Sequence, residues 1–198
     1  QREASAGKGK PKNDMHTDNP YRYPTPDFQL LHAIKHCSCY EDPSVRAWEV
    51  SAPCPECQVM NFFVDGFAVL QRMADETPDL FDALTDTPVR FENDGGDAGS
   101  ALWHVSPIVE LKAEYRNPGD GPRCRGAACV LAIRFSAKSG GYSPAPGTAA
   151  EMDVFFQARR RFSELVHDPN MGFAMQLRPG DIIVFDNKRL LHSRSAVA

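Results

Sequence analysis

The sequence predicts a mainly β fold with a few flanking helices. Sixteen prolines and fourteen glycines among 198 residues imply frequent turns, which suit short strands better than a helix bundle. Several apolar segments are short runs of strand length. Apolar residues make up 42% and charged residues 24%, enough for a buried core, which excludes a disordered, collagen-like or coiled-coil chain. The length suits one domain.

The elements follow in order. Residues 1–14 are polar, with Lys8, Lys10 and Lys12 among Gly and Pro, and read as a disordered tail. Residues 15–198 form the domain. Its start is loop-like, broken by Pro20, Pro24 and Pro26, and Phe28 to Ile34 then has strand length. Residues 37–61 hold four of the six cysteines without a period and read as an insertion. Asp65 is a plausible N-cap for a helix carrying Phe67, Val69, Leu70 and Met73. Pro78 opens a second short helix with Leu80, Phe81 and Leu84 apolar. Residues 92–100 read as a loop, and 101–115 contain strand at His104–Val105 and Ile108–Leu111. Another loop spans 116–128, and Val130–Phe135 is a strand.

After a Ser/Gly/Pro loop, Thr148 and Glu151 match a capping box. The helix they open runs over about 149–167, with Met152, Phe155, Phe156, Phe162, Leu165 and Val166 on its apolar side. Arg159, Arg160 and Arg161 on that helix read as a solvated face. Phe173 to Leu177 alternates like a half-buried strand, Arg178 to Asp181 is a turn, and Ile182–Phe185 reads as a buried strand.

The formal charge of −4 gives no electrostatic reason for nucleic acid or an anionic membrane as partner. No stretch approaches the run of about 18 apolar residues that a membrane span needs. No secretory or transit signal is read, so reduced cysteines and an intracellular, cytoplasmic location are expected, a mitochondrial one being compatible. The expected partners are a small-molecule substrate and, as an oligomer, a second copy of the chain.

Two groups of residues carry metal chemistry. In an extended segment the side chains of His16 and Asp18 share one face, so both reach one ion. A distant His would complete a two-His, one-carboxylate facial triad with open positions on iron(II). His192 is the candidate, placed just beyond the rim of a β structure by the strand that exits through Asp186 and Asn187. The spacing is common by chance, so a loop His with a turn-forming Asp stands beside it. The second group is Cys37, Cys39, Cys54 and Cys57, two close pairs that offer four thiolates to zinc or stand as free thiols in a loop. His32, His36, His104 and His167 read as structural, and Cys124 and Cys129 receive no role.

The motifs occur in a familiar order. His16-Thr-Asp18-Asn-Pro, Pro26-Asp-Phe-Gln29-Leu-Leu-His32, Val64-Asp-Gly-Phe67, Ile133-Arg-Phe135, Leu177-Arg-Pro-Gly-Asp181 and Phe185-Asp-Asn187-Lys-Arg-Leu-Leu-His192-Ser-Arg194 succeed one another. This order resembles the gamma-butyrobetaine and trimethyllysine dioxygenases of the taurine-dioxygenase-like group. The last block looks closer to the butyrobetaine branch.

The resemblance implies a truncated double-stranded β-helix, or jelly-roll, with helices outside. It implies Fe(2+) held by His16, Asp18 and His192, with 2-oxoglutarate as cosubstrate, and hydroxylation of a small quaternary-ammonium acid of the carnitine-biosynthesis type. It places the cosubstrate-binding Arg about a dozen residues beyond His192, past Ala198, and Asn187 or Arg194 as groups that orient the ligands. It also implies aromatic faces for a trimethylammonium group, for which Tyr21 and Tyr23 are nearby. Two other readings stay open: a zinc-stabilised module built on the four cysteines, and an inactive jelly-roll remnant that keeps the triad without holding the cosubstrate.

Overall fold

The computed structural model describes residues 15–34, 59–93, 101–116, 122–140, 148–177 and 180–195. The tail at 1–14 and Cys37, Cys39, Cys54 and Cys57 lie outside the described residues. Among the described residues, nine strands and three α-helices follow in the order β1 (Phe28–His32), β2 (Asn61–Asp65), α1 (Gly66–Glu76), α2 (Pro78–Asp86), β3 (Pro88–Asn93), β4 (Leu102–Pro107), β5 (Val109–Leu111), β6 (Val130–Ile133), α3 (Ala149–Val166), β7 (Gly172–Met175), β8 (Ile182–Asp186) and β9 (Leu190–Arg194).

The helices begin where their caps dictate. The Asp65 carboxylate accepts from the backbone N–H groups of Phe67 at 3.0 Å and Ala68 at 3.4 Å, satisfying donors that a first turn leaves free. Thr77 ends α1 through its N–H to the Met73 carbonyl, and Pro78 starts α2 where a missing N–H costs nothing. At α3 the Thr148 hydroxyl accepts from Glu151 N–H while the Glu151 carboxylate accepts from Thr148 N–H, a reciprocal cap. Buried Phe155, Ala158, Phe162 and Leu165 form one stripe of α3, and the three helices pack on one another along it. Phe156, one residue off the stripe, turns to solvent. The arginine run is only partly a solvated face: Arg161 reaches across to Glu76 of α1, Arg160 pairs with Glu164, and Arg159 lies half-buried over the Phe155 ring.

Among the described residues all strand pairs are antiparallel. β7-β2-β9 form one sheet, and β1-β8, β3-β4 and β5-β6 form pairs. The helices cover one side, so the core joins Val69, Leu70, Met73, Phe81 and Phe162 to Val109, Val130, Ile133 and Leu191.

Four expectations change. Regular structure starts within the last residues of the stretch 37–61: Val59 and Met60 are buried and Asn61 begins β2. The loop at 92–100 loses its first residues to β3, where Val89 and Phe91 are buried and Arg90 and Glu92 face out. The strand after α3 is shorter and earlier, Gly172–Met175. β8 is not a buried strand. Its Ile182 and Val184 stand 56% and 61% exposed, because only the face carrying Phe185 turns inward and nothing among the described residues covers the other.

Cys124 and Cys129, expected to be reduced, are joined as a disulfide at the start of β6. The flanking Arg123 and Arg125 pair with Asp86 and Asp82 of α2.

Candidate metal centre

The segment Met15 to Asp18 runs beside β9 as an added strand. His16 N–H donates to the His192 carbonyl at 3.1 Å, and His192 N–H donates to the His16 carbonyl at 2.9 Å. This reciprocal antiparallel bridge sets the two imidazoles side by side, with ring centroids 4.5 Å apart. On its other edge the segment meets the end of β6. Thr17 N–H donates to the Phe135 carbonyl at 2.8 Å, and its hydroxyl donates to the Ile133 carbonyl and accepts from Phe135 N–H. Thr17 is therefore buried while its neighbours face the opposite way, as period-two alternation requires.

Asp18 is fixed next. Its backbone is held by the Asn187 side chain, and the chain then turns at Asn19, whose positive φ of 53° suits Asn better than most residues. The outcome is convergence. One His16, one Asp18 and one His192 donor atom all lie within 4.8 Å of one another. Asp18 sits between the rings, with His16 Nε2 3.4 Å from Oδ1 and His192 Nε2 3.8 Å from Oδ2. His192 lies inside β9 rather than beyond a β rim, because β9 follows β8 after a short turn and pairs with β2.

The electrostatics suit a cation. The hydrogen bond from His16 holds the Asp18 carboxyl below the usual carboxylate range, aided by His192 and His16 charge and opposed by burial. Burial pushes the His192 imidazole down to about 4, and His16 adds to the shift. At neutral pH the site offers a carboxylate and an uncharged ring with a free lone pair, the protonation states that metal ligation needs. The two nitrogens and one carboxylate fit iron(II) by donor type. His192 Nδ1 is buried without a hydrogen-bond partner. Packing orients this ring instead, with Phe185 edge-on at 5.0 Å and Phe63 stacked at 6.5 Å.

The site opens into a cavity of about 540 Å³ lined by His16, His192, Asn61, Leu31, Leu177 and Arg194, among others. His32 also lines it. His104 and His167 are elsewhere: His104 stacks on Tyr23 at 5.1 Å, and His167 caps α3 with Nδ1 2.7 Å from the Ser163 carbonyl. His36 lies outside the described residues. Neither Tyr21 nor Tyr23 lines the cavity at His16: Tyr21 hydrogen-bonds Asn19 at 2.5 Å, and Tyr23 lines a separate cavity with His104 and Glu110. Thr17 and Phe63 carried no recognisable signal in the sequence, since their roles depend on partners far along the chain. No helix among the described residues is long and apolar enough to cross a membrane.

The chain is 28% identical over 182 residues to a gamma-butyrobetaine dioxygenase of Pseudomonas sp. strain AK-1, covering 92% of this chain and 38% of that protein. It is 28% identical over 189 residues to the gamma-butyrobetaine dioxygenase of Homo sapiens, covering 92% and 39%. A trimethyllysine dioxygenase of Meyerozyma guilliermondii is 24% identical over 181 residues, covering 91% and 38%. The chain thus spans about 38% of the length of these curated relatives.

Among solved structures, an asparagine oxygenase in complex with Fe(II), 3-hydroxyasparagine and succinate matches with TM-score 0.54 at 17% identity, covering 91% of this chain and 43% of that one. A taurine dioxygenase from Burkholderia xenovorans matches with TM-score 0.58 at 10% identity, covering 98% and 55%. These likenesses show the fold, mainly β with a few helices and of the jelly-roll type. The family model for taurine catabolism dioxygenase TauD, TfdA matches residues 1–198, and the chain belongs to that family.

Proposed function

We propose that this chain carries the metal centre of an iron(II)- and 2-oxoglutarate-dependent hydroxylase acting on a small quaternary-ammonium acid of the gamma-butyrobetaine kind. One observation carries the reading: His16, Asp18 and His192 converge beside an open cavity that the two histidines line, in a chain of the TauD, TfdA family. The similarity to gamma-butyrobetaine dioxygenases supports the substrate class.

The residues divide the work. His16 and His192 present ring nitrogens, and Asp18 presents a carboxylate, so three donors approach from one side and leave the cavity side open. The backbone bridge between His16 and His192 fixes the spacing of the two rings before any ion arrives. Phe63 and Phe185 pack behind His192 and exclude water from that flank. Iron(II) bound with 2-oxoglutarate and oxygen supplies the oxidation, in which a substrate C–H becomes C–OH while 2-oxoglutarate yields succinate and carbon dioxide.

The test is turnover. The chain with iron(II), 2-oxoglutarate and gamma-butyrobetaine is expected to form succinate and a product heavier by one oxygen. His16→Ala is expected to abolish both. Full iron-dependent turnover in that variant would reject the reading.

A further inference from the structure

We propose that the Cys124–Cys129 disulfide is a redox-sensitive fastener. Closed, it holds the start of β6 against the helices, and through β6 it steadies the segment that carries His16 and Asp18. The inference rests on reading His16, Asp18 and His192 as metal ligands. The two cysteines are five positions apart on the loop that enters β6. Cys129 is fully buried in the core, and Cys124 is half-buried against it. The loop's other ties lie at the surface. Arg123 and Arg125 make two-pronged pairs with Asp86 and Asp82 of α2, and Ala127 N–H donates to the Gln71 side chain of α1 at 3.0 Å. Exposed ion pairs hold weakly, so the covalent link is the strong tie.

The same stretch of chain then reaches the candidate metal centre. The Ile133 carbonyl accepts from the Thr17 hydroxyl at 3.2 Å and the Phe135 carbonyl accepts from Thr17 N–H at 2.8 Å, with Thr17 between His16 and Asp18. Ile133 N–H donates to the Lys188 carbonyl and Arg134 N–H to the Ile108 carbonyl, and neither bond involves the disulfide. Opening the disulfide therefore loosens the ligand segment without releasing it. A dithiol reductant enters at Cys124, the more exposed partner. Its thiolate attacks Cys124 Sγ, the S–S bond breaks, and Cys129 leaves as a thiolate that takes up a proton. The reductant's second thiol displaces Cys124, which is released as a thiol. Two electrons and two protons pass to the cysteines, and the reductant ends as a disulfide.

Manganese binding in the two redox states tests this without turnover. Peptide mapping by mass spectrometry of the chain kept free of reductant is expected to find the Cys124 and Cys129 peptides cross-linked. Reduction with dithiothreitol, removed under nitrogen before titration, is expected to weaken Mn(II) affinity by about fivefold and to lower the melting temperature. A variant with Cys124→Ser and Cys129→Ala is expected to bind manganese like the reduced chain and to ignore dithiothreitol, which assigns the effect to this pair rather than to the other four cysteines. Should that variant not fold, mapping the alkylated cysteines of the reduced wild type makes the same assignment. Free Cys124 and Cys129 thiols in the unreduced chain overturn the fastener. So does manganese affinity that stays within about twofold on reduction, or that falls with this pair still closed. A chain that binds no manganese in either state overturns the metal-centre reading, and the fastener's role with it.

Discussion

The Asn187 side chain clamps the main chain of Asp18 from both sides. Its Oδ1 accepts from Asp18 N–H at 2.8 Å, and its Nδ2 donates to the Asp18 carbonyl at 3.0 Å and to the Pro26 carbonyl at 3.1 Å. Asn187 is fully buried, so these bonds have no competing water. The amide acts as a one-residue strand partner, and it fixes the backbone from which the Asp18 carboxylate projects.

Asn187→Ala removes that partner and leaves part-buried backbone groups of Asp18 and Pro26 unpaired. The expected loss is about 2–3 kcal/mol of stability, together with weaker manganese binding. Asn187→Asp keeps an acceptor for Asp18 N–H but turns carboxylate oxygen toward two carbonyls, and is expected to be no better. Urea unfolding and a manganese titration check both. Wild-type stability and affinity in Asn187→Ala would show that the clamp positions nothing.

Asp65 makes a separate pH prediction. A hydrogen bond from Arg189, then its charge and the N–H groups of Ala68 and Phe67, hold the Asp65 carboxyl below its ordinary value against burial. A folded-state pKa below the unfolded one gives stability that is full above the unfolded value of about 3.9 and is lost as pH falls through the folded one. Asn is as good an N-cap as Asp, so Asp65→Asn removes the charge and keeps the cap. It is expected to be less stable than wild type at pH 7, with the gap closing below about pH 4. Asp65→Ala, lacking the cap too, is expected to lose about 1 kcal/mol more at both pH values. Urea unfolding at pH 7 and pH 3 decides, and a gap between wild type and Asp65→Asn that ignores pH would refute the linkage.

Gly66 opens α1 directly behind β9. A Cβ there would lie 2.5 Å from Ile133 Cδ1, 2.6 Å from Leu191 Cδ1 and 2.9 Å from the Arg189 carbonyl oxygen. Alanine is ordinarily worth up to about 1 kcal/mol over Gly in a helix. The backbone contact at Arg189 cannot rotate away, so Gly66→Ala is expected to destabilise by about 1–3 kcal/mol instead. Leu191 precedes His192, so manganese affinity is expected to fall as well. A thermal melt at or above wild type would remove the steric argument.

Part of this protein is written locally. The caps Asp65, Thr148 with Glu151 and Pro78 start the three helices within a residue of where the sequence puts them, because capping acts between groups no more than three positions apart. The His16–Asp18 face follows from strand alternation alone, and the motif order already resembles the family. Tertiary structure decided the rest. β2 has no distinct period of its own and exists because β7 and β9, more than a hundred residues away, hydrogen-bond to it. His192 enters β9 for the same reason, and β8 is half-exposed because burial depends on what covers a face. Thr17 and Asn187 acquire their roles only when distant backbone arrives beside them. Such long-range hydrogen bonds and shared cavities depend on loop closure across the whole chain, which short-range residue patterns do not encode.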